Sequence, residues 1–159
     1  MRVALRSARR DSRRRALVLR GVGARHPGQS AEKCAAWLAP LVNRERAPLH
    51  LVAVDGPAVL GTATIKLREM AQFPEREHWL GGVFVAPDFR TRGVARALSR
   101  HALELGPSLG IAELYLQTDR LDGGLYRTVG FEALERVQNE GHEVLVMRKN
   151  LRAPLTEHD

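Results

Sequence analysis

Residues 79–97 read Trp79-Leu-Gly-Gly-Val-Phe-Val-Ala-Pro-Asp-Phe-Arg-Thr-Arg-Gly-Val-Ala-Arg-Ala97, an apolar strand that passes through a short basic turn straight into a helix. The first amides of a helix have no internal acceptor, and the aligned peptide dipoles place roughly half a positive charge there. Such an end suits a phosphate or pyrophosphate. Gly93 lets the backbone approach an anion, Ala95 keeps the next turn narrow, and Arg90, Arg92 and Arg96 add full charges. The stretch lacks the Gly-Lys-Ser/Thr ending of a P-loop and the three-glycine spacing of a dinucleotide fingerprint. Taken alone, it is equally an ordinary helix start with solvated arginines.

Working outward, the helix runs from Gly93 to Leu105 with an apolar face of Ala95, Ala97, Leu98, Ala102, Leu103 and Leu105, and Gly106-Pro107 stops it. Ala112 to Leu116 is a strand and Leu121 to Thr128 a short helix. Phe131 to Val137 and Glu143 to Arg148 are strands joined by Asn139-Glu140-Gly141. Toward the N-terminus, Arg68 to His78 is a polar loop. Leu49 to Val54 and Val59 to Leu67 form a hairpin around Asp55-Gly56-Pro57. Residues 12–22 and 30–42 have helical spacing, the second with Ser30 as N-cap, and Met1 to Leu5 is a short first strand. The order is strand, two helices, three strands, helix, strand, helix, two strands. This is a mixed α/β fold, layered on a central sheet, in a single domain spanning residues 1–159.

Arg90-Thr91-Arg92-Gly93-Val94-Ala95 resembles the Arg/Gln-x-x-Gly-x-Gly/Ala motif of the GNAT acyltransferase superfamily, and Leu125-Tyr126-Arg127-Thr128-Val129-Gly130-Phe131 is similar to its Leu-Tyr-x-x-x-Gly-Phe signature. Val83-Phe84-Val85-Ala86-Pro87 looks like the family's fourth strand and its exit. The likeness is specific from Trp79 to Leu151 and generic before that. It implies a central sheet of about seven strands with helices on both faces and with strands four and five splayed. It implies acetyl-coenzyme A as cosubstrate, with the pantetheine arm between those strands along Val83, Phe84 and Val85. Arg90, Arg92, Gly93, Val94, Ala95 and Arg96 would take the pyrophosphate. Two positions depart from the pattern. Thr91 stands where glycine is common, and Asp119 or Asp122 replaces the asparagine often found after the fifth strand. Of the two, Asp119 is assigned to the cofactor. Gly81-Gly82 inside a strand marks either a bulge and close backbone approach, as a thioester would need, or tight packing against a neighbouring side chain.

The resemblance implies an N-acetyltransferase in which a primary amine attacks the thioester directly within a ternary complex. Tyr126 matches the residue that protonates the departing thiolate. With reference pKa values near 10 and 8.5, full proton transfer to sulfur is uphill by about 2 kcal/mol, but a hydrogen bond that strengthens as sulfur gains charge still helps. The alternative is a core tyrosine bracing the last helix. Many family members carry a base glutamate on strand four. Here that strand offers Gly81 and Gly82, and Glu75, Glu77 and His78 just before it are the candidates to act through water or to be plain loop residues. Glu69, Glu75 and Glu77 hint at a cationic acceptor, a small-molecule or peptide amine. By the resemblance the acceptor cover falls on residues 21–30 and 138–142, where His26, Trp37, Asn139 and His142 are candidate liners, with surface or packing roles the better reading for each.

Composition bounds the rest. With 159 residues and 44% hydrophobic content the chain can bury a core without staples, and the absence of a run of 18 apolar residues excludes a spanning helix. A lone cysteine, Cys34, excludes a disulfide framework, and the histidines occur singly, so no metal is expected. The start lacks a secretory signal, so the expected compartment is the cytoplasm. Formal net charge is +7, and much of the excess lies at the front, where Arg2, Arg6, Arg9, Arg10, Arg13, Arg14, Arg15, Arg20 and Arg25 face only Asp11. A solvated basic face explains this block better than nucleic-acid binding, because no aromatic residue interrupts it as a stacking platform. The rival function is a catalytically inactive coenzyme A-binding module with that front on nucleic acid. A homodimer is left open.

Overall fold

Runs rich in β-branched and leucine side chains form one seven-stranded sheet in the computed structural model, which describes residues 2–5, 46–55 and 58–152. The strands are β1 (Arg2–Leu5), β2 (Leu49–Asp55), β3 (Ala58–Leu67), β4 (His78–Val85), β5 (Glu113–Thr118), β6 (Glu132–Asn139) and β7 (His142–Asn150). Their spatial order is β1-β2-β3-β4-β5-β7-β6, antiparallel throughout except between β4 and β5. A parallel step needs a crossover, and helix α1 (Val94–Leu105) supplies it. Helix α2 (Gly124–Thr128) follows β5. Each expected strand is present, with ends within two residues of expectation. The expected helices over 12–22 and 30–42, the arginine block beyond Arg2, Cys34, and residues 56 and 57 of the hairpin turn lie outside the described residues.

Strand alternation divides the core. Leu114 and Leu116 of β5 join Ala63, Ile65 and Leu80 against Val94, Leu98 and Ala102 of α1. Tyr115, between them in sequence, points to the opposite face with Trp79, Val144, Val146 and Met70. Thr62 and Thr64 are fully buried on that second face, where Thr64 Oγ1 lies 2.9 Å from Nδ1 of the buried His50.

Helix α1 stops before Gly106-Pro107 as expected, with Gly106 as its C-cap, but Gly106 has φ −47°; a 3-10 turn follows over Pro107–Leu109, and the left-handed residue is Gly110. The Leu151 side chain packs over Gly106, where a β-carbon would stand. The polar loop after β3 is a packed roof over the second face. Met70 is 2% exposed, and the Arg76 guanidinium sits 3.9 Å above the Phe73 ring and 5.4 Å from that of Tyr115. Arg76 also donates to Glu135 Oε1 at 2.6 Å, and Gln72 Nε2 donates to the Gln138 carbonyl at 3.2 Å. The loop thus reaches from β4 across to β6.

Candidate active site

The register between β3 and β4 slips in the middle. Thr62 faces Phe84 while Thr64 faces Gly81, so two steps on β3 span three on β4. The extra residue is a bulge at Gly82–Val83, and Gly82 takes φ +58°, a conformation that favours glycine. At the neighbouring Gly81 a β-carbon would lie 2.9 Å from Glu69 Oε1 and 3.0 Å from Lys66 Nζ, the ends of two long side chains. The expected bulge is therefore present, at Gly82. A bulge bends its strand, and β4 pairs with β5 at a single point, Trp79 opposite Tyr115. From Leu80 to Val85 the two strands splay, leaving the β5-facing edge of β4 unpaired over its half-buried residues Val83, Phe84 and Val85.

At the end of β4 the Ala86 amide donates to Leu60 at 2.8 Å, and the 3-10 turn Pro87–Phe89 aims the chain into α1. Arg90 Nε folds back to the Val85 carbonyl at 3.2 Å, and its guanidinium lies 5.9 Å from the Phe84 ring. Arg92 lies similarly over Phe89. Gly93 is the N-cap at φ +75°, with no side-chain cap on the helix. The first helical bond runs from the Ala97 amide to the Gly93 carbonyl, so the amides of Val94, Ala95 and Arg96 have no acceptor within α1. A β-carbon on Gly93 would meet nothing within 4 Å, so the approach to these amides is open. Val94 points into the core, while Arg92 and Arg96 are exposed. A positively charged, uncapped helix end thus sits at the exit of a splayed strand pair.

Thr91 adopts φ +64°, and its hydroxyl donates to the Arg90 carbonyl at 2.6 Å. A left-handed residue costs a β-branched side chain about 1–2 kcal/mol. Thr91→Gly is expected to stabilise the fold by about 1 kcal/mol and raise the melting temperature by about 2–4 °C. A lower melting temperature in a thermal scan would contradict the strain.

Tyr126 is half-buried on α2, and its ring meets Phe131 edge-on with centroids 6.2 Å apart. The Phe131 amide donates to the Tyr126 carbonyl, which closes the helix-to-strand turn of the second motif. Asp122 Oδ1 accepts from the Gly124 amide at the start of α2 at 3.0 Å, and Arg120 binds the carboxylate at 3.2 and 3.0 Å. The Arg120 bond first, and the amide next, hold the Asp122 carboxyl below its ordinary 3.8. A depressed folded pKa contributes stability above the unfolded value and loses it as pH falls through the folded one. Asp122→Asn is therefore expected to melt lower than wild type at pH 7, with the gap closing below pH 3.8. A gap that persists at the acid end would rule out that linkage. Asp119 Oδ1 is engaged by His142 Nε2 at 3.2 Å, and Asn139 Nδ2 donates to Gln117 at 2.7 Å. These contacts tie the β6–β7 hairpin to the end of β5.

The acids before β4 divide. Glu75 and Glu77 are exposed and lie 3.6 Å from Arg76 and Arg68. His78 starts β4 opposite Leu67. Glu69 is only 16% exposed and accepts from Lys66 Nζ at 2.7 Å. Among the described residues there is no group of three or more His, Cys, Asp or Glu that could hold a metal, and no helix long and apolar enough to cross a membrane.

Residues 15–131 match the profile of the acetyltransferase (GNAT) family. A search of curated proteins finds no match. Among solved structures, the chain is similar to an N-acetyltransferase from Staphylococcus aureus Mu50, with TM-score 0.74 at 14% identity over 96% of this chain and 100% of that one. It is also similar to the ribosomal-protein-alanine N-acetyltransferase of Brucella melitensis, with TM-score 0.71 at 22% identity over 94% and 99%. A third likeness is to an aminoglycoside 6'-N-acetyltransferase complexed with coenzyme A, with TM-score 0.71 at 15% identity over 96% and 98%. At these identities the likeness is one of fold.

Proposed function

Because the chain belongs to the acetyltransferase (GNAT) family, we propose that it acetylates a primary amine by direct attack on acetyl-coenzyme A in a ternary complex. One observation carries this reading: the uncapped N-terminus of α1 opens at the end of the unpaired β4 edge. An anion and an extended polar arm, joined end to end, would satisfy both sets of free backbone groups. Arg90, Arg92 and Arg96 surround the helix end, and the amides of Gly93, Val94 and Ala95 meet the pyrophosphate. Val83, Phe84 and Val85 line the arm, with backbone groups of Val83 and Val85 pairing with it. Asp119, at the end of β5, faces the same arm from the other side. Bound here, the thioester supplies an activated acetyl carbon.

The residues then do two things. They hold the carbonyl at the bulge, where the β4 backbone is least committed to its neighbours. Tyr126 donates to the sulfur as the carbon–sulfur bond lengthens. The acceptor is a small-molecule amine, a reading supported by the aminoglycoside enzyme among the fold relatives. The ribosomal-protein-alanine enzyme among them supports a peptide amine as the second reading. The cytoplasm, which holds acetyl-coenzyme A, is the proposed compartment.

Acetyl-coenzyme A at a hundredfold excess over its dissociation constant is expected to stabilise the fold by about 2.7 kcal/mol. Thiol release should then appear with one class of a panel containing aminoglycosides, polyamines and N-terminal peptides. A melting temperature unmoved by millimolar acetyl-coenzyme A would overturn the reading.

A further inference from the structure

We propose that Glu69 is the carboxylate that receives the acceptor's ammonium group and takes its proton, an assignment that rests on the acyl-transfer reading above. Alternation on β4 puts residue 81 on the face of Trp79, opposite α1, one residue before the bulge. That strand position has no side chain. The Glu69 carboxylate, from the loop after β3, lies where such a side chain would begin, 2.9 Å from the β-carbon site of Gly81. The loop therefore supplies the acid that β4 lacks, at the point where β4 leaves β5.

Lys66 Nζ holds Glu69 Oε1 at 2.7 Å. Glu69 Oε2 is buried and meets no hydrogen-bond donor among the described residues. A buried carboxylate oxygen without a donor is costly, and an incoming ammonium supplies one. Glu69 takes one proton from the ammonium, leaving a neutral nitrogen. That nitrogen forms the carbon–nitrogen bond as the carbon–sulfur bond breaks. A second proton leaves nitrogen, sulfur gains one, and the Glu69 carboxylic acid returns its proton to water.

The test uses two thioethers, S-(3-aminopropyl)-coenzyme A and S-butyl-coenzyme A, titrated into the wild type and Glu69→Gln. The wild type is expected to bind the ammonium form about tenfold tighter or more, and Glu69→Gln to reduce that preference to within about twofold. Glutamine keeps an acceptor oxygen for Lys66, and coenzyme A itself should bind both proteins alike. In the double variant Glu69→Ala, Gly81→Glu the carboxylate returns from β4 and the ammonium preference should reappear, which a merely structural role for Glu69 does not predict. Equal preference in the wild type and Glu69→Gln, or no return in the double variant, overturns the Glu69 assignment alone. Failure of every coenzyme A compound to bind the wild type overturns the acyl-transfer reading and the assignment together.

Discussion

Replacing Tyr126 by phenylalanine is expected to lower turnover about a hundredfold while leaving acetyl-coenzyme A affinity nearly unchanged. The phenyl ring retains the edge-on contact with Phe131, and the Tyr126 backbone keeps its bond to the Phe131 amide. What is lost is the hydroxyl that we propose donates to the departing sulfur. General-acid help is typically worth about 100- to 10,000-fold, and the lower end applies because a thiol is already an adequate leaving group. An interaction that strengthens only as charge develops affects turnover, not ground-state binding. The measurement is the turnover number with the amine found in the panel, alongside the melting temperature. Wild-type turnover in a folded Tyr126→Phe protein would reduce Tyr126 to a packing residue.

Gly93→Glu should abolish the stabilisation by acetyl-coenzyme A, weakening binding about a hundredfold or more. The new side chain meets no clash, since a β-carbon at Gly93 has nothing within 4 Å. It does place a carboxylate and its bulk over the amides that we propose hold the pyrophosphate. Two effects on the free protein oppose each other: the left-handed φ of +75° penalises any side chain, while a carboxylate near a helix N-terminus is favourable. Gly93→Ala separates them, because it carries the backbone strain without the charge. It should bind acetyl-coenzyme A within about threefold of wild type, whereas Gly93→Glu should show no thermal shift. A wild-type shift in Gly93→Glu would move the phosphate site away from α1.

The two segments that carry the site were legible because their signals are local. A glycine after a basic turn marks a helix start, and paired glycines in a strand mark a bulge. Thr91 stands where glycine is common, but its left-handed backbone emerges only from the structure. The roof over the second face was not legible. Met70, Phe73 and Arg76 have no periodicity, and only their long-range partners Tyr115 and Glu135 make the loop a packed element. The same limit hid Glu69. Its charge was visible, but nothing in sequence links it to Gly81, twelve residues on. At Gly106 the stop signal does mark the end of α1, but the contact with Leu151, far along the chain, was not legible.

The central claim, that acetyl-coenzyme A lies along β4 with its pyrophosphate on the first turn of α1, is tested most directly by titrating it into the 15N-labelled protein. The account predicts saturable shifts that are largest for the amides of Arg92, Gly93, Val94, Ala95 and Arg96, followed by Val83 and Val85. Shifts confined to other parts of the sheet, or amides of α1 that stay in place at saturating acetyl-coenzyme A, would contradict it.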